Sequence, residues 1–321
     1  MRKKIKVICT LGPASLNKKF LNFSKKNIDL LRLNMSHLSL EDLVKNIKFV
    51  KRYTNCPICI DTEGAQIRSK IKRKIYLKKN RKVKISKSNP NILNIYPNYI
   101  FNKLKRGDLL NIGFDNLKIK VLRTSSNEHL AKVVRSGLLE NNKGIHVENR
   151  KIRLGFLTEK DLKALEIARS FRIKNFALSF TNTQKDVLSF KKLLKNNHNK
   201  IYKIETSQAL KNFKKIIKTG DNFLIDRGDL SKDIDLINIP KAQRDLIKIK
   251  KKFRDKKIFI ATNLLESMIK NNYPTRGEAN DIYSSLEMGA DGLVLAAETA
   301  IGNNPIECVS FIKKLINNFK K

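Results

Sequence analysis

Eight short apolar runs, most of them followed by a polar turn and an amphipathic stretch, limit this sequence to very few folds. The runs are Lys6–Thr10, Asp29–Leu33, Pro57–Asp61, Asn175–Ser179, Ile201–Glu205, Asn222–Asp226, Ile258–Ala261 and Gly292–Ala296. Short stretches rich in Ile, Val, Leu and Phe suit strands buried on both faces. The intervals carry helical periodicity. Lys160–Phe171 places Leu162, Leu165 and Ala168 on one face, and Gln208–Ile217 and Lys241–Phe253 behave alike. A strand-then-helix unit repeated eight times predicts an α/β chain folded as a (β/α)8 TIM barrel. Such a barrel has a packed interior and places its active site at the C-terminal ends of the strands.

One interval breaks the rhythm. Between the third and fourth runs, Ser69 to Arg153 shows short alternating β-like segments at Lys82–Ile85, Leu117–Leu122 and Leu130–Val134. Turn signals stand at Asn89-Pro90, Arg106-Gly-Asp and Asn142-Lys-Gly. The expected organisation is a catalytic barrel of residues 1–68 and 154–321. A small all-β lid domain, 69–153, is inserted after the third strand.

Composition narrows the location and partners. No run of 18 apolar residues occurs in the 321-residue chain, so no membrane association is expected. Met1-Arg-Lys-Lys leads into an apolar stretch too short for a signal peptide, which makes the cytoplasm the expected location. Cys56-Pro-Ile-Cys59 matches C-x-x-C, but it has no second pair at zinc spacing and lies in a predicted buried strand, so it reads as structural. The formal net charge is +39. Its lysines are spread along the whole length among Asn and Ile, and aromatics make up only 7%. A nucleic-acid platform would interleave them with stacking rings. The charge therefore reads as compositional, and nucleic acid is not expected as a partner. The field still favours small anions.

The unusual polar residues cluster where a barrel places its chemistry. The second run enters Arg32-Leu-Asn34-Met-Ser36-His37, and the third ends in Asp61-Thr62-Glu63-Gly64-Ala65-Gln66-Ile67-Arg68. The fifth ends in Lys203-Ile204-Glu205, the sixth in Asp226-Arg227-Gly228-Asp229, the seventh in Ala261-Thr262-Asn263 and the eighth in Ala297-Glu298-Thr299. Lys203 and Glu205 lie two apart on one strand and so share a face. This set suits phosphoryl transfer. Glu205 and Asp229 offer hard oxygens for a divalent cation, and Arg32 and Arg68 offer planar forks for phosphate. Lys203 can neutralise charge on a transferring phosphoryl group or an enolate. Gly228 permits close backbone approach to a carboxylate, and Asn34, Ser36, Asp61 and Thr62 supply oxygens for a monovalent cation. Singly, each has a plainer reading: a strand-end ion pair for Lys203–Glu205, and caps for Asn34, Ser36, Asp226 and Asp229. A Walker-type phosphate loop is absent.

These segments resemble the pyruvate kinase family. Val7-Ile-Cys-Thr-Leu-Gly-Pro-Ala-Ser15 is similar to its N-terminal strand and turn, and Arg32 to His37 to its R-x-N-[FM]-S-H segment. Asp61 to Arg68 resembles D-T-K-G-P-E-I-R, and Leu157-Thr-Glu-Lys-Asp161 the re-entry into the barrel. Tyr202-Lys-Ile-Glu205 is similar to the catalytic lysine segment, and Arg227-Gly-Asp-Leu230 to A-R-G-D-L-G. Ala261-Thr-Asn-Leu-Leu-Glu-Ser-Met268 with Pro274-Thr-Arg276 resembles the longest signature, and Glu298-Thr-Ala-Ile-Gly302 closes the series.

The resemblance implies a glycolytic enzyme that transfers a phosphoryl group from phosphoenolpyruvate to ADP, giving pyruvate and ATP. It implies Lys203, Arg32 and Thr262 as catalytic residues, and Arg32, Lys203, Gly228, Asp229 and Thr262 around phosphoenolpyruvate. Arg32, Asn34, His37, Arg68 and Lys143 would border the nucleotide. Glu205 and Asp229 would hold Mg2+ (or Mn2+), and Asn34, Ser36, Asp61 and Thr62 would hold K+. Departures from the pattern are Glu63 for Lys, Ala65 for Pro, Gln66 for Glu, Asp226 for Ala and Ser231 for Gly. The chain ends at Lys321, soon after the eighth helical stretch, so sugar-phosphate allostery through the family's C-terminal domain is not expected; a homo-oligomer is compatible with the sequence. Two other classes compete. One is a barrel of the same kind acting as a metal-dependent enolate lyase or aldolase, which would turn over without ADP. The other is an inactive nucleic-acid-binding paralogue, which would bind RNA with a steep salt dependence.

Overall fold

A computed structural model describes residues 4–64, 66–113, 117–148, 150, 152 and 154–320. Ala65 of the third-strand motif, Arg153 at the end of the expected insertion and Met1-Arg-Lys lie outside them. The chain divides into two compact units, Met1–Gly64 with Glu159–Lys321, and Ala65–Thr158.

The first unit is a closed parallel barrel. Its strands in chain order are Lys6–Thr10, Leu30–Asn34, Ile58–Asp61, Asn175–Leu178, Asn199–Ile204, Asn222–Asp226, Lys257–Ala261 and Gly292–Leu295, and the first pairs with both the second and the last. Eight longer helices alternate with them: Lys18–Asn27, Leu40–Tyr53, Glu159–Ser170, Gln184–Leu193, Ser207–Thr219, Ile239–Lys251, Arg276–Met288 and Pro305–Phe319. Local chemistry starts several of these helices. Ser39, Thr183, Thr206 and Thr275 accept from backbone N–H groups in the first turn, and Thr183 and Thr275 form full capping boxes with Asp186 and Glu278. Gly289 closes Arg276–Met288 at φ 104°, a left-handed conformation that favours glycine.

Every strand sends a residue into one interior layer: Ile8, Leu30, Cys59, Ala177, Ile201, Leu224, Phe259 with Ala261, and Val294. Side chains alternate along a strand, so the residue two positions further on faces the same interior nearer the C-terminal mouth. Those positions are Arg32 after Leu30, Asp61 after Cys59, Ser179 after Ala177, Lys203 after Ile201 and Asp226 after Leu224. The apolar plug is thus capped by a polar layer, and all five of its members are buried.

The second unit follows the third barrel strand and is built of strands. A five-stranded antiparallel sheet runs in the order Ile145–Val147, Leu109–Ile112, Leu117–Arg123, Glu128–Arg135, Lys82–Ser86. Two ribbons, Ile75–Leu77 with Gly137–Leu139 and Arg68–Lys70 with Asn94–Tyr96, complete it. It has its own core, in which Ile85, Ile100, Leu110, Ile119, Val121 and Val133 are buried. Arg68, which the sequence places at the end of the barrel segment 1–68, opens a ribbon strand of the second unit, its backbone paired with Tyr96. Among the described residues, no helix is long and apolar enough to cross a membrane.

Phe259 is the one aromatic residue of the interior layer and is 2% exposed. Phe259→Ala leaves a cavity that the rigid strands cannot close. Chemical denaturation should show a loss of about 3–5 kcal/mol in the stability of the barrel unit.

Candidate active site

The polar layer is organised around one ammonium group. Lys203 Nζ lies 2.7 Å from Glu205 Oε1, 3.4 Å from Asp61 Oδ2 and 3.4 Å from Asp226 Oδ2, and it donates to Ser179 Oγ at 3.2 Å. Arg32 Nε lies 3.0 Å from Asp61 Oδ2. All these side chains are nearly sealed from solvent, so their mutual charges act in a low effective dielectric. Burial alone would lower the Lys203 pKa, but Asp61, Glu205 and Asp226 outweigh it and hold the ammonium well above its usual range. Burial also opposes the charge on Arg32, and Asp61 and Asp226 more than restore it. Glu205 is pushed up to about 8, chiefly by burial and then by the neighbouring Asp229 and Asp226, against the pull of Lys203. Asp226 goes the other way: burial is outweighed by Lys203 and Arg32, and its carboxyl stays below its usual range.

Strand-end turns set the orientation of these groups. Glu205 Oε2 accepts the backbone N–H of Phe180 at 2.6 Å, and Ser179 Oγ donates to the Thr62 carbonyl at 2.7 Å. Thr62 Oγ1 accepts the Ser179 N–H at 3.0 Å. At the end of the seventh strand, Thr262 and Asn263 have φ of 69° and 53°. A β-branched residue there is strained, and such strain persists where the surroundings over-determine it. Arg227 does this, donating from Nε and Nη2 to the Thr262 carbonyl at 3.1 and 2.7 Å and from Nη2 to the Asn263 carbonyl at 3.0 Å. Thr262 Oγ1 in turn accepts the Gly228 N–H at 2.7 Å and lies 3.3 Å from Asp226 Oδ1. A Cβ on Gly228 would sit about 3.4 Å from that hydroxyl, so glycine keeps the approach open.

Among the described residues, one acidic group has metal-ligand geometry: ligand oxygens of Glu205, Asp226 and Asp229 all lie within 4.8 Å of one another. Asp229 is also paired with Lys232. On the neighbouring second and third strands, Asn34 stands opposite Asp61, and Asn34 Oδ1 accepts the Ser36 N–H at 3.0 Å. His37 follows in the same turn, its N–H bonded to the Asn34 carbonyl. The negative charge of Glu63 is answered locally: its Oε2 is 3.0 Å from Lys160 Nζ, which also donates to the Met35 carbonyl at 2.6 Å. The Glu63 and Gly64 N–H groups donate to Asp161. Arg68 and Lys143 belong to the second unit, where Arg68 Nη1 donates to the Asn142 carbonyl and Lys143 pairs with Glu140.

The barrel therefore brings Arg32, Asp61, Lys203 and Glu205 together directly, with Gly228, Asp229 and Thr262 on the adjoining turns. Sequence reasoning passed over three members of the site: Ser179, Asp226 as a partner of Lys203, and Arg227 as the support of Thr262. Ser179 and Asp226 obey the same two-residue period as Arg32 and Lys203, and that signal was readable. Arg227 was not readable, because its role depends on backbone carbonyls 35 and 36 residues away.

The fold and this charged mouth define a (β/α)8-barrel protein with its polar machinery at the strand ends and a β unit inserted after the third strand. A family model described as the pyruvate kinase barrel domain matches residues 2–309. The pyruvate kinase of Thermotoga maritima is 30% identical over 338 residues, covering 99% of this chain and 72% of the relative. That of Methanocaldococcus jannaschii is 32% identical over 321 residues, covering 98% and 69%. That of Staphylococcus saprophyticus is 30% identical over 331 residues, covering 98% and 56%. The chain belongs to the pyruvate kinase family.

Two outcomes check the local chemistry. Lys160→Met strands the buried Glu63 carboxylate and should cost about 1–3 kcal/mol in denaturant titrations, part of which Glu63→Gln recovers in the double variant. All four cysteines are free and buried, and burial pushes the Cys56 and Cys308 thiols up to about 12. A disulfide-exchange reagent at pH 8 should leave all four unlabelled in the native protein and label them after denaturation.

Proposed function

We propose that this chain catalyses phosphoryl transfer from phosphoenolpyruvate to ADP, giving pyruvate and ATP. The observation that carries the reading is the buried Lys203 ammonium, held at the mouth of the barrel between Asp61, Glu205 and Asp226. Family membership supports it independently.

The reaction breaks the enol P–O bond and forms a P–O bond to the terminal phosphate of ADP. The enolate left behind takes a proton at carbon. Charge shifts between oxygens throughout, so catalysis is mainly positioning and electrostatic stabilisation. Lys203 would neutralise charge on the transferring phosphoryl group and on the enolate oxygen. Arg32 would bind the phosphate, and its Nη1, buried without a hydrogen-bond partner in the described structure, is a donor suited to an anion. The N-terminal turn of Arg227–Leu230, with Gly228 and Asp229, would receive the substrate carboxylate. Thr262, whose hydroxyl sits between Gly228 and Asp226, would hold the enolate in place for protonation.

The oxygens of Glu205 and Asp229 fit a hard divalent cation, Mg2+ or Mn2+, which when bound would neutralise phosphoryl charge. Asn34 and Asp61, opposite each other on adjacent strands, support a K+ site with Ser36 and Thr62. On the family resemblance, Arg32, Asn34 and His37 of the barrel unit are assigned to the nucleotide phosphates.

The test is pyruvate formation by the purified chain from phosphoenolpyruvate, ADP, Mg2+ and K+. Lys203→Met should lower the rate about a thousandfold or more, and exchanging K+ for a bulky organic cation should lower it in the wild type. Wild-type turnover no greater than that of the variant overturns the reading, as does turnover of oxaloacetate that needs no ADP.

A further inference from the structure

We propose that Asp226 is a third carboxylate of the divalent-cation site, so that this chain holds its cation with Glu205, Asp226 and Asp229 together. The inference rests on the reading of Glu205 and Asp229 as cation ligands given above, and it concerns a residue that stands where the family pattern has alanine.

Placement is the first argument. Asp226 ends the sixth strand two residues beyond the interior Leu224, so its side chain enters the mouth of the barrel, and it is 3% exposed. Its ligand oxygen lies within 4.8 Å of those of Glu205 and Asp229. Ligands on a small octahedral cation are about 3 Å apart when adjacent and about 4 Å when opposite. Side-chain adjustment of about an ångström brings all three into one coordination sphere.

Weak satisfaction is the second argument. A buried carboxylate ordinarily gathers short, strong hydrogen bonds. The contacts of Asp226 are long: 3.4 Å to Lys203 Nζ, 3.3 Å to Thr262 Oγ1 and 3.5 Å to the Asp229 N–H. Lys203 is held more closely by Glu205, at 2.7 Å. The Asp226 carboxylate has donors nearby and is bound firmly by none of them.

Charge balance is the third. Within the buried cluster, two cationic groups, Arg32 and Lys203, face three carboxyl groups, Asp61, Glu205 and Asp226. Asp229 has its own partner in Lys232. Three carboxyl groups share two cations, so the cluster carries all three as carboxylates only when a further cation answers them. A divalent ion bound by all three carboxylates supplies that compensation. It also provides positive charge facing an anionic substrate, so the added aspartate need not repel it. The consequence is a cation that binds firmly before substrate arrives.

The experiment titrates the purified protein with Mn2+ alone, without substrate or nucleotide, and follows loss of the free-ion signal by electron paramagnetic resonance. Asp226→Ala, Asp226→Asn and Asp229→Asn are compared with wild type. Asp226→Asn keeps the shape and the contact with Thr262, so it reports on charge even where the alanine variant folds poorly. Mn2+-induced stabilisation against heat gives a second readout. The expected result is that both Asp226 variants and Asp229→Asn bind Mn2+ about tenfold more weakly or worse. If Asp229→Asn alone weakens binding, Asp226 serves only Lys203 and Thr262; the inference falls and the proposed function stands. If no variant changes Mn2+ binding, the assignment of these carboxylates to a divalent cation falls with it.

Discussion

The Lys203 ammonium is the interaction on which the rest of the site depends. Three carboxyl groups from the ends of three different strands are buried around it, and its charge offsets much of the cost of burying them. Arg32 adds a second cation on Asp61. The cluster is possible because the layer beneath it is a dense apolar plug to which every strand contributes. That plug fixes the strand ends and excludes water from below, and low polarisability then makes each charge count for more than at a surface. Stability and chemistry thus draw on the same arrangement: the residues that make the barrel mouth costly to fold are the ones poised to meet a phosphorylated anion.

A second device keeps the mouth in shape. The seventh strand ends in two non-glycine residues with positive φ, and the Arg227 guanidinium grips the carbonyls of both. This places the Thr262 hydroxyl against the Gly228 N–H, joining the sixth and seventh strand ends. The third strand end is secured differently. Asp161 accepts the N–H groups of Glu63 and Gly64, and Lys160 covers the Glu63 carboxylate. Glu63, which on the sequence reads as an extra negative charge beside candidate cation ligands, is therefore a neutralised member of a local network.

Much of the barrel was legible because its signals are local. Eight apolar runs of strand length stand within one or two residues of the observed strands, and Arg32, Asp61 and Lys203 are polar residues at or near their ends. Ser179 and Asp226 answer to the same two-residue period. Asp226 is easily read as a helix cap, and it does cap the turn that begins at Arg227. Its contact with Lys203 crosses from the sixth strand to the fifth and leaves no pattern in the chain. The Glu63–Lys160 pair joins residues 97 apart, on either side of the inserted unit. The C-x-x-C spacing misleads in the opposite sense. Cys59 faces the barrel interior, while the Cys56 thiol donates to the Ile28 carbonyl, so nearness in sequence does not make them a pair.

The linear chain thus settles the number of strands, their order and the polarity of their ends, because alternation along a strand and periodicity along a helix are properties of neighbouring residues. Closure of the barrel decides which charges share a partner, since residues from strands far apart in sequence meet only there. Whether a carboxylate at a strand end is a cap, a counter-ion or a candidate metal ligand depends on distances of 3–4 Å across the mouth. Those distances are set by the packing of the whole barrel and by no segment of it alone.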